Sequence, residues 1–480
     1  MHAHELVGLD ATDLSQAIHR RELSCLEVMQ AHLAQIDALN PQVNALVARV
    51  DADHLLEQSR MLDDELQRGQ SRGPLHGFPL APKDLSAVKG LVTSRGSPLF
   101  AQNVTQEDAV FLARLRTGGC VFVGRSNTPE FGLGGHTYNP VYGLTRNAWN
   151  PERSAGGSSG GAAVAVALHM LPVADGTDMM GSLRTPAAFN HVYGFRPTPN
   201  LIPNGPADEV FQQQFAVAGP MARNVRDLAM TLGVMQGFDA RLPLSRRFDR
   251  SCDGRTPLAR DMQGCRIGWL GNLNGRWAMD PGLLATQAKA LDVLRDIGCV
   301  VDEASLDTDL DAAWRAWITL RSAQFAGANQ ALWDDADKRA QLKPEALWEM
   351  EQGRQWTSLQ LYNAAKARSA FYQAMRALFE RFDFLVLPAT QVAPFPAEWD
   401  WPHHIDGRAM DTYHRWLACT VPATLASLPA LSAPAGFDAQ GLPAGIQIVG
   451  PTQADWSVLQ LGHAYQQASP WSAQRSPLLG

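Results

Sequence analysis

The segment Ser154-Ala-Gly-Gly-Ser-Ser-Gly-Gly-Ala-Ala-Val-Ala-Val-Ala167 is closely followed by Asp175-Gly-Thr-Asp-Met-Met-Gly-Ser-Leu-Arg-Thr-Pro-Ala-Ala188. Glycines flank Ser158 and Ser159 before an alanine-rich, helix-like run, and Gly181-Ser182 opens a second helix-like segment. Glycine leaves backbone N–H groups unobstructed, and a helix N-terminus adds free N–H donors and a partial positive charge. The two segments therefore predict an anion or oxyanion site that the rest of the chain supports.

The glycine-flanked serines of the first segment allow three interpretations. A phosphate loop is excluded, because no Gly-Lys-Ser/Thr follows and no strand precedes. A nucleophile elbow matches Gly156-Gly-Ser158-Ser-Gly160 literally, but the polar residues 147–154 do not form the apolar strand that an elbow requires. A flexible structural turn remains open for this segment taken alone.

Composition and charge narrow the class of protein. The chain has 480 residues, of which 45% are hydrophobic and 19% charged, so it can bury a large core. The net charge of -7 is spread along the chain, without a basic block for nucleic acid or for a membrane surface, and we expect a small-molecule partner. The first residues lack the pattern of a secretory signal, and about 18 uncharged apolar residues never run together, so we expect a cytoplasmic protein.

The cysteines give no sign of a metal site. They are scattered and lack the spacing of metal ligands, and buried free thiols are expected at Cys25, Cys120, Cys252, Cys265, Cys299 and Cys419.

Hydrophobic periodicity predicts alternating helices and strands. Residues 11–39 form two helices, the second beginning at the capping box Ser24-Cys-Leu-Glu27 and ending before Pro41. Further helices are predicted at 51–68, 108–117, 225–236, 282–297 and through most of 308–381, and strands at 47–50, 120–124, 192–196, 266–270, 299–302 and 384–388. This alternation indicates an α/β sheet whose register cannot be read from the sequence. Eight of the 13 tryptophans lie between Trp314 and Trp416, where they serve either helix packing or an aromatic-lined pocket.

The combination of motifs resembles the amidase signature family of serine hydrolases. The motifs are Gly-x-Pro-x-x-x-Lys83-Asp84, Gly-Gly-Ser158-Ser-Gly-Gly and Gly-Thr-Asp-x-x-Gly-Ser182-x-Arg-x-Pro-Ala, in this order. The segments 109–130 and Leu442-Pro-Ala-Gly-Ile-Gln-Ile-Val-Gly450 are also similar to the family. The resemblance covers most of the first 240 residues and about the last 70, and the middle of the chain is not distinctive.

The resemblance implies the fold, which is one large α/β domain with a central mixed β-sheet and helices on both faces. Within it we expect an N-terminal helical segment at 1–70 and the catalytic core at 71–240. A variable, largely helical and Trp-rich substrate-pocket region is expected at 241–400, and a return to the core sheet at 401–480.

The resemblance also implies the site. Lys83, Ser158 and Ser182 would form a Ser-Ser-Lys triad in which Ser182 is the nucleophile, Ser158, on a cis peptide bond, relays the proton, and Lys83 is the base. A lysine can act as a base where burial lowers its pKa, and the apolar segment before Lys83 suits this. The candidate oxyanion donors are the backbone N–H groups of Met179, Met180, Gly181 and Ser182. Supporting roles fall to Ser159, Asp178 and Arg184, and neither metal nor cofactor is implied.

Met180 departs from the family, which usually has glycine at this position. If the backbone there required a positive φ, methionine would cost on the order of 1 kcal/mol and the oxyanion loop would differ in shape. Alternatively, the methionine side chain narrows the acyl pocket.

The expected activity is hydrolysis of a C–N bond in a small-molecule amide, without nucleic acid or membrane, by a chain that is a possible homodimer. Carbamates and esters are alternative substrates because the same tetrahedral chemistry serves them. The other hypotheses are a catalytically silent binding scaffold and a glutamine-hydrolysing amidotransferase subunit. Spacing alone also leaves open a pairing of Ser182 with a histidine, the candidates being His76, His136, His169, His191 and His463.

Overall fold

A mixed eight-stranded sheet is the centre of the computed structural model, which describes residues 3–212, 214–246 and 257–480. The strands are β1 Leu46–Val47, β2 Pro79–Leu80, β3 Val121–Phe122, β4 Arg125–Ser126, β5 Tyr138–Asn139, β6 Gly143–Leu144, β7 Val173–Asp178, β8 Tyr193–Arg196, β9 Val217–Ala222, β10 Arg266–Trp269, β11 Val300–Glu303, β12 Phe384–Pro388, β13 His404–Ile405, β14 Arg408–Ala409, β15 Ala430–Phe437 and β16 Pro443–Val449. The order in the large sheet is β11-β10-β12-β16-β15-β8-β9-β7. Strand β10 runs parallel to β11 and β12, and the other neighbours are antiparallel.

Helices cover both faces of this sheet. They are α1 Ala3–Gly8, α2 Ala11–His19, α3 Cys25–Val43, α4 Ala52–Gln67, α5 Val110–Thr117, α6 Gly160–Ala167, α7 Arg184–Asn190, α8 Val225–Met235, α9 Leu283–Asp296, α10 Leu310–Ala328, α11 Gln330–Asp334, α12 Ala336–Arg339, α13 Pro344–Gly353, α14 Ser358–Leu378, α15 Val421–Leu425 and α16 Asp455–Ala468. Every residue of β16 is buried, and since successive side chains of a strand point to opposite faces, both faces of the sheet are covered at this central strand. The mixed α/β prediction is confirmed.

Most predicted elements are present, with shorter bounds. The capping box at Ser24 is formed: its hydroxyl accepts from the Glu27 N–H, and the Glu27 carboxylate accepts from the Ser24 N–H. The prediction that this helix ends before Pro41 is wrong, because α3 continues to Val43. A proline in the last turn removes one ladder hydrogen bond, and the burial of Leu39 and Val43 compensates for that loss.

The two glycines that begin α6 are required by close packing. All eight residues of α6 are buried. A Cβ atom at Gly161 would lie 2.3 Å from the Asn127 backbone nitrogen and 2.4 Å from the Ala45 oxygen, and one at Gly160 would overlap Thr137. Only glycine lets this helix start against the neighbouring backbone, and this fixes the position of the serines before it.

The cysteines are free where the structure describes them. Cys25, Cys120, Cys299 and Cys419 are buried, whereas Cys265 is partly exposed, so the expectation of burial is wrong for that residue. Cys252 lies outside the described residues. In the described ranges no helix combines the length and the apolar character needed to cross a membrane.

Candidate active site

Lys83 lies at the centre of a cluster of hydroxyl groups. Its Nζ is 2.7 Å from Ser158 Oγ, 2.8 Å from Ser159 Oγ and 3.0 Å from Thr177 Oγ1. Lys83 follows the buried strand β2, Ser158 and Ser159 directly precede α6, and Thr177 belongs to β7. The predicted lysine and relay serine are therefore in direct contact, although their motifs are far apart in the chain.

Burial shapes the charge of this lysine. Lys83 has no exposed surface, and desolvation lowers its pKa to about 7 from the ordinary value of 10.5, although Asp175 and Asp178 oppose the shift. Asp175 is also buried, which raises the pKa of its carboxyl to about 6, and its Oδ2 accepts the backbone N–H of Lys83. A substantial share of Lys83 is therefore neutral at pH 7, and only this form can accept a proton.

Ser158 and Ser182 open into the same cavity. The Gly157–Ser158 peptide bond is cis, as the resemblance implied. Ser182 is partly exposed, and its Oγ has no hydrogen-bond partner among the described residues, while its backbone oxygen accepts the N–H of Ser159. The structure thus places the two serines about one cavity. The nucleophile and relay roles remain predictions.

The loop that carries Ser182 is held by the Asp178 carboxylate. Its Oδ1 accepts the backbone N–H of Gly181 at 3.0 Å, and its Oδ2 accepts that of Leu183 at 3.1 Å. Gly181 is thereby engaged, whereas the N–H groups of Met179, Met180 and Ser182 have no acceptor within the described ranges. Of the four N–H groups expected as oxyanion donors, Gly181 is the one that already has an acceptor among the described residues, and the oxyanion role stays a prediction.

Two buried arginines complete the brace. Arg184 binds Asp178 through Nε at 3.0 Å and Nη2 at 2.9 Å, and Arg196 Nη1 donates to the Asp178 backbone oxygen at 2.7 Å. All three side chains have no exposed surface. Burial alone would raise the pKa of Asp178, but Arg184 and Arg196 outweigh it and the pKa lies below its usual value. This geometry agrees with the expectation that Asp178 and Arg184 brace the loop.

We expect Asp178→Asn to destabilise the protein strongly. The amide would leave two buried guanidinium groups without a carboxylate, and breaking a buried ion pair costs about 3–5 kcal/mol. Denaturant-induced unfolding measures the change. The matched control is Glu380→Gln, which removes an exposed carboxylate paired with Arg376 and should cost less than about 1 kcal/mol. Equal losses in the two variants would contradict the brace.

Met180 has an ordinary backbone conformation. The positive φ of this loop, 83°, falls on Gly181, and Met180 is not among the residues with positive φ. The Met180 side chain is 5% exposed and lines the cavity. The structure therefore favours the second of the two sequence interpretations, in which methionine narrows the pocket.

The cavity next to Ser182 has a volume of about 230 Å³. Its wall is mainly apolar, with Phe131, Leu133, Met180, Phe325 and Leu417, and it also contains Arg321 and Tyr413. Helix α10 supplies Arg321 and Phe325, so the middle region does contribute to the pocket. No tryptophan of the described residues lines it: Trp277 and Trp314 line a separate cavity of about 480 Å³, and Trp317 and Trp416 are packed in the core.

The histidine alternatives are not supported. His136 Nδ1 lies 2.7 Å from Ser154 Oγ, and His76 and His191 contact the backbone oxygens of Leu62 and Trp471. None of the histidines in the described ranges, His169 and His463 included, forms a hydrogen bond with Ser182.

Four polar residues near the site were missed by sequence reasoning. They are Thr177, Asp175, Arg196 and Arg321. Thr177 and Asp175 lie within the quoted second segment, and their alternation in β7 was the available signal. Arg196 and Arg321 have no local signal, because only the tertiary fold brings them to the site.

Comparisons with known proteins identify relatives of this chain. The model of the Amidase family matches residues 27–459. An acylamidase of Rhodococcus erythropolis is 32% identical over 99% of this chain and 98% of its own length. A glutamyl-tRNA(Gln) amidotransferase subunit of Chloroflexus aurantiacus is 32% identical over 99% of both chains. Two solved structures are also similar.

Both structures match over nearly their whole length. A bacterial aryl acylamidase of the amidase signature family superposes with a TM-score of 0.90 at 28% identity, covering 97% of each chain. The 6-aminohexanoate cyclic dimer hydrolase complexed with substrate gives a TM-score of 0.85 at 26% identity, covering 99% of this chain and 100% of that one. With a matching family model, fold and motif order, this chain belongs to the amidase signature family.

Proposed function

We propose that this protein hydrolyses the C–N bond of a small-molecule amide through an acyl-enzyme on Ser182. The observation that carries the proposal is the buried Lys83 Nζ, which lies 2.7 Å from Ser158 Oγ beside the cavity that also contains Ser182. A serine hydroxyl is a weak nucleophile until a base accepts its proton, and a lysine with a pKa of about 7 is such a base. The acylamidase and hydrolase relatives support the same class of reaction.

The proposed cycle uses these groups in turn. Neutral Lys83 takes the Ser158 proton while Ser158 takes the Ser182 proton, and Ser182 Oγ bonds to the carbonyl carbon. The carbonyl oxygen becomes an oxyanion, which the N–H groups of Met179, Met180 and Ser182 would bind in this proposal. The relay returns the proton to the leaving nitrogen as the C–N bond breaks, and water repeats the sequence on the ester. Carbamates and esters pass through the same intermediate.

The test of the proposal uses the purified chain without partners. We expect turnover of simple neutral amides, and a serine-directed fluorophosphonate should label Ser182, as located by mass spectrometry. If glutamine were the one substrate hydrolysed, and if this required added partner proteins, the result would instead support an amidotransferase role like that of the Chloroflexus relative. A chain that is neither labelled nor active would be a binding scaffold.

The pH dependence of kcat/KM should report the lysine. Because the deprotonated form is the base, activity should rise with pH through an apparent pKa near 7 and then level off. Asp175 raises the pKa of Lys83 through its charge, so Asp175→Asn should move this rise in activity to lower pH. A pH-rate profile of both proteins checks this. If the rise in activity occurred at the same pH in the two proteins, the titration would belong to another group.

A further inference from the structure

A buried polar cluster that the proposed cycle does not use borders the Ser182 cavity. It consists of Arg321 on α10, Glu349 on α13, and Tyr413 and His414. One carboxylate oxygen, Glu349 Oε1, accepts from Arg321 Nε at 2.5 Å, from the Tyr413 hydroxyl at 2.5 Å and from His414 Nε2 at 2.8 Å. The Arg321 and Glu349 side chains are 7% and 0% exposed.

This cluster carries no net charge at neutral pH. Burial alone would raise the pKa of Glu349, but Arg321 and His414 lower it to about 2, so the carboxylate is ionised. Burial lowers the pKa of His414 to about 4, so its ring is neutral, and raises that of Tyr413. The arginine and the glutamate therefore balance each other.

The Nη1 group of Arg321 has no strong acceptor among the described residues and is left for a ligand. Nε is bound to Glu349 and Nη2 donates to the Tyr413 hydroxyl at 3.0 Å. Nη1 has only the Met179 sulfur at 3.4 Å, which is a weak acceptor, although it carries two hydrogens. Arg321 lines the cavity, and a guanidinium donor next to an apolar space gains from a stronger acceptor.

The cavity wall beside Arg321 suits an aromatic ring, because Phe325 lies one helical turn after Arg321 on α10 and also lines the cavity. Phe131 and Phe325 meet edge to face with ring centroids 6.1 Å apart. The volume of about 230 Å³ is below the ~300–1,000 Å³ of sites for drug-sized ligands, so a single ring with a short substituent is the appropriate size. Arg321 is the one formally charged side chain among the described residues that line this cavity, and Glu349 balances it from behind.

We propose that Arg321 Nη1 is a specificity-determining donor that binds a neutral oxygen acceptor, such as a ketone or ether, on an aryl amide substrate. The inference rests on the proposed function and names its substrate class. A substrate carboxylate would be disfavoured, because with Arg321 already balanced by Glu349 it would leave an unpaired negative charge in an apolar cavity. Free glutamine is disfavoured because it would bring both a carboxylate and an ammonium group into the same apolar cavity, where each would lose its hydration.

Binding to the Ser182→Ala variant tests this without turnover. Calorimetric titration compares two matched pairs of amides. One pair is built on acetanilide and the other on N-methylbenzamide, and in each pair the ring carries either a para-acetyl or a para-isopropyl group. In at least one pair the acetyl compound should bind at least tenfold more tightly than the isopropyl compound. The acetyl oxygen can accept a hydrogen bond from the charged guanidinium, whereas the isopropyl group makes only an apolar contact. A para-carboxylate analogue should bind less tightly than the acetyl compound.

Two further variants in the same background assign the effect. Arg321→Met combined with Glu349→Gln removes both charges together, and the acetyl-to-isopropyl ratio should fall to within about twofold. Arg415→Met makes the same change at an arginine that lines the other cavity, and the ratio should persist. An unchanged ratio in the double variant, tighter carboxylate binding, or no binding of either pair would overturn the inference. Binding with no hydrolysis by the parent enzyme would refute only the proposed function.

Discussion

Replacing Ser182 by Ala should reduce kcat/KM by on the order of 10⁴-fold or more. The loss of the attacking oxygen removes the covalent route, and what remains is the modest stabilisation from binding and backbone donors. Stability should hardly change, because Ser182 is partly exposed and its Oγ has no hydrogen-bond partner in the described part of the chain. Steady-state kinetics with a neutral aryl amide, together with thermal unfolding, measures both effects.

The control for this prediction is Ser369→Ala, on the exposed face of α14. Its hydroxyl donates only to the Ala365 backbone oxygen one turn earlier. This variant should retain full activity and full labelling by the fluorophosphonate. If Ser182→Ala kept more than about 1% of the activity while Ser158→Ala lost all of it, the two serines would have to exchange roles.

The motifs predicted which residues form the site better than they predicted the hydrogen bonds between them. The order of the Lys83, Ser158 and Ser182 motifs indicated that these side chains belong together. The structure brings Lys83 into contact with Ser158 and places Ser158 and Ser182 about one cavity. The hydrogen bond between Lys83 and Thr177 was not predicted, because it depends on the direction of strand β7 rather than on the spacing of the motifs. The engagement of the Gly181 N–H by Asp178 depends on the same local geometry.

The fold was predictable where periodicity is strong. Helices such as α5, α8 and α9 agree with their predicted positions because their apolar residues recur at helical spacing. Strands β7 and β9 were missed: Val-Ala-Asp-Gly-Thr-Asp and Val-Ala-Gly-Pro-Met-Ala contain glycine, proline and carboxylates, which are unfavourable in isolated strands. Burial between helices overrides those preferences, and only the folded chain shows it.

Arg321 marks the limit of sequence reasoning. In the sequence it is one charged residue on a long helix, where a solvent-exposed position is the usual expectation. Its burial depends on Glu349, Tyr413 and His414, which come from two other segments. The proposed selection of substrate by Arg321 therefore rests on contacts that no local motif encodes, and this is why the sequence indicates the class of reaction more readily than the substrate.

Lys83→Met should lower kcat/KM by roughly 10³-fold or more and abolish the pH-dependent limb near 7. General-base catalysis is typically worth about 10²–10⁴-fold, and here the same group also returns the proton to the leaving nitrogen. Methionine is close to lysine in length, and since Lys83 is partly neutral in its buried position, the variant strips no obligatory ion pair, so the protein should fold. Lys289→Met, the same change at an exposed position on α9, is the control and should leave kinetics unaltered.

Fluorophosphonate labelling of Ser182 should slow in parallel with hydrolysis, because both require the activated hydroxyl. A Lys83→Met enzyme that retained the limb near pH 7, or that labelled at the parental rate, would show that another group activates Ser182.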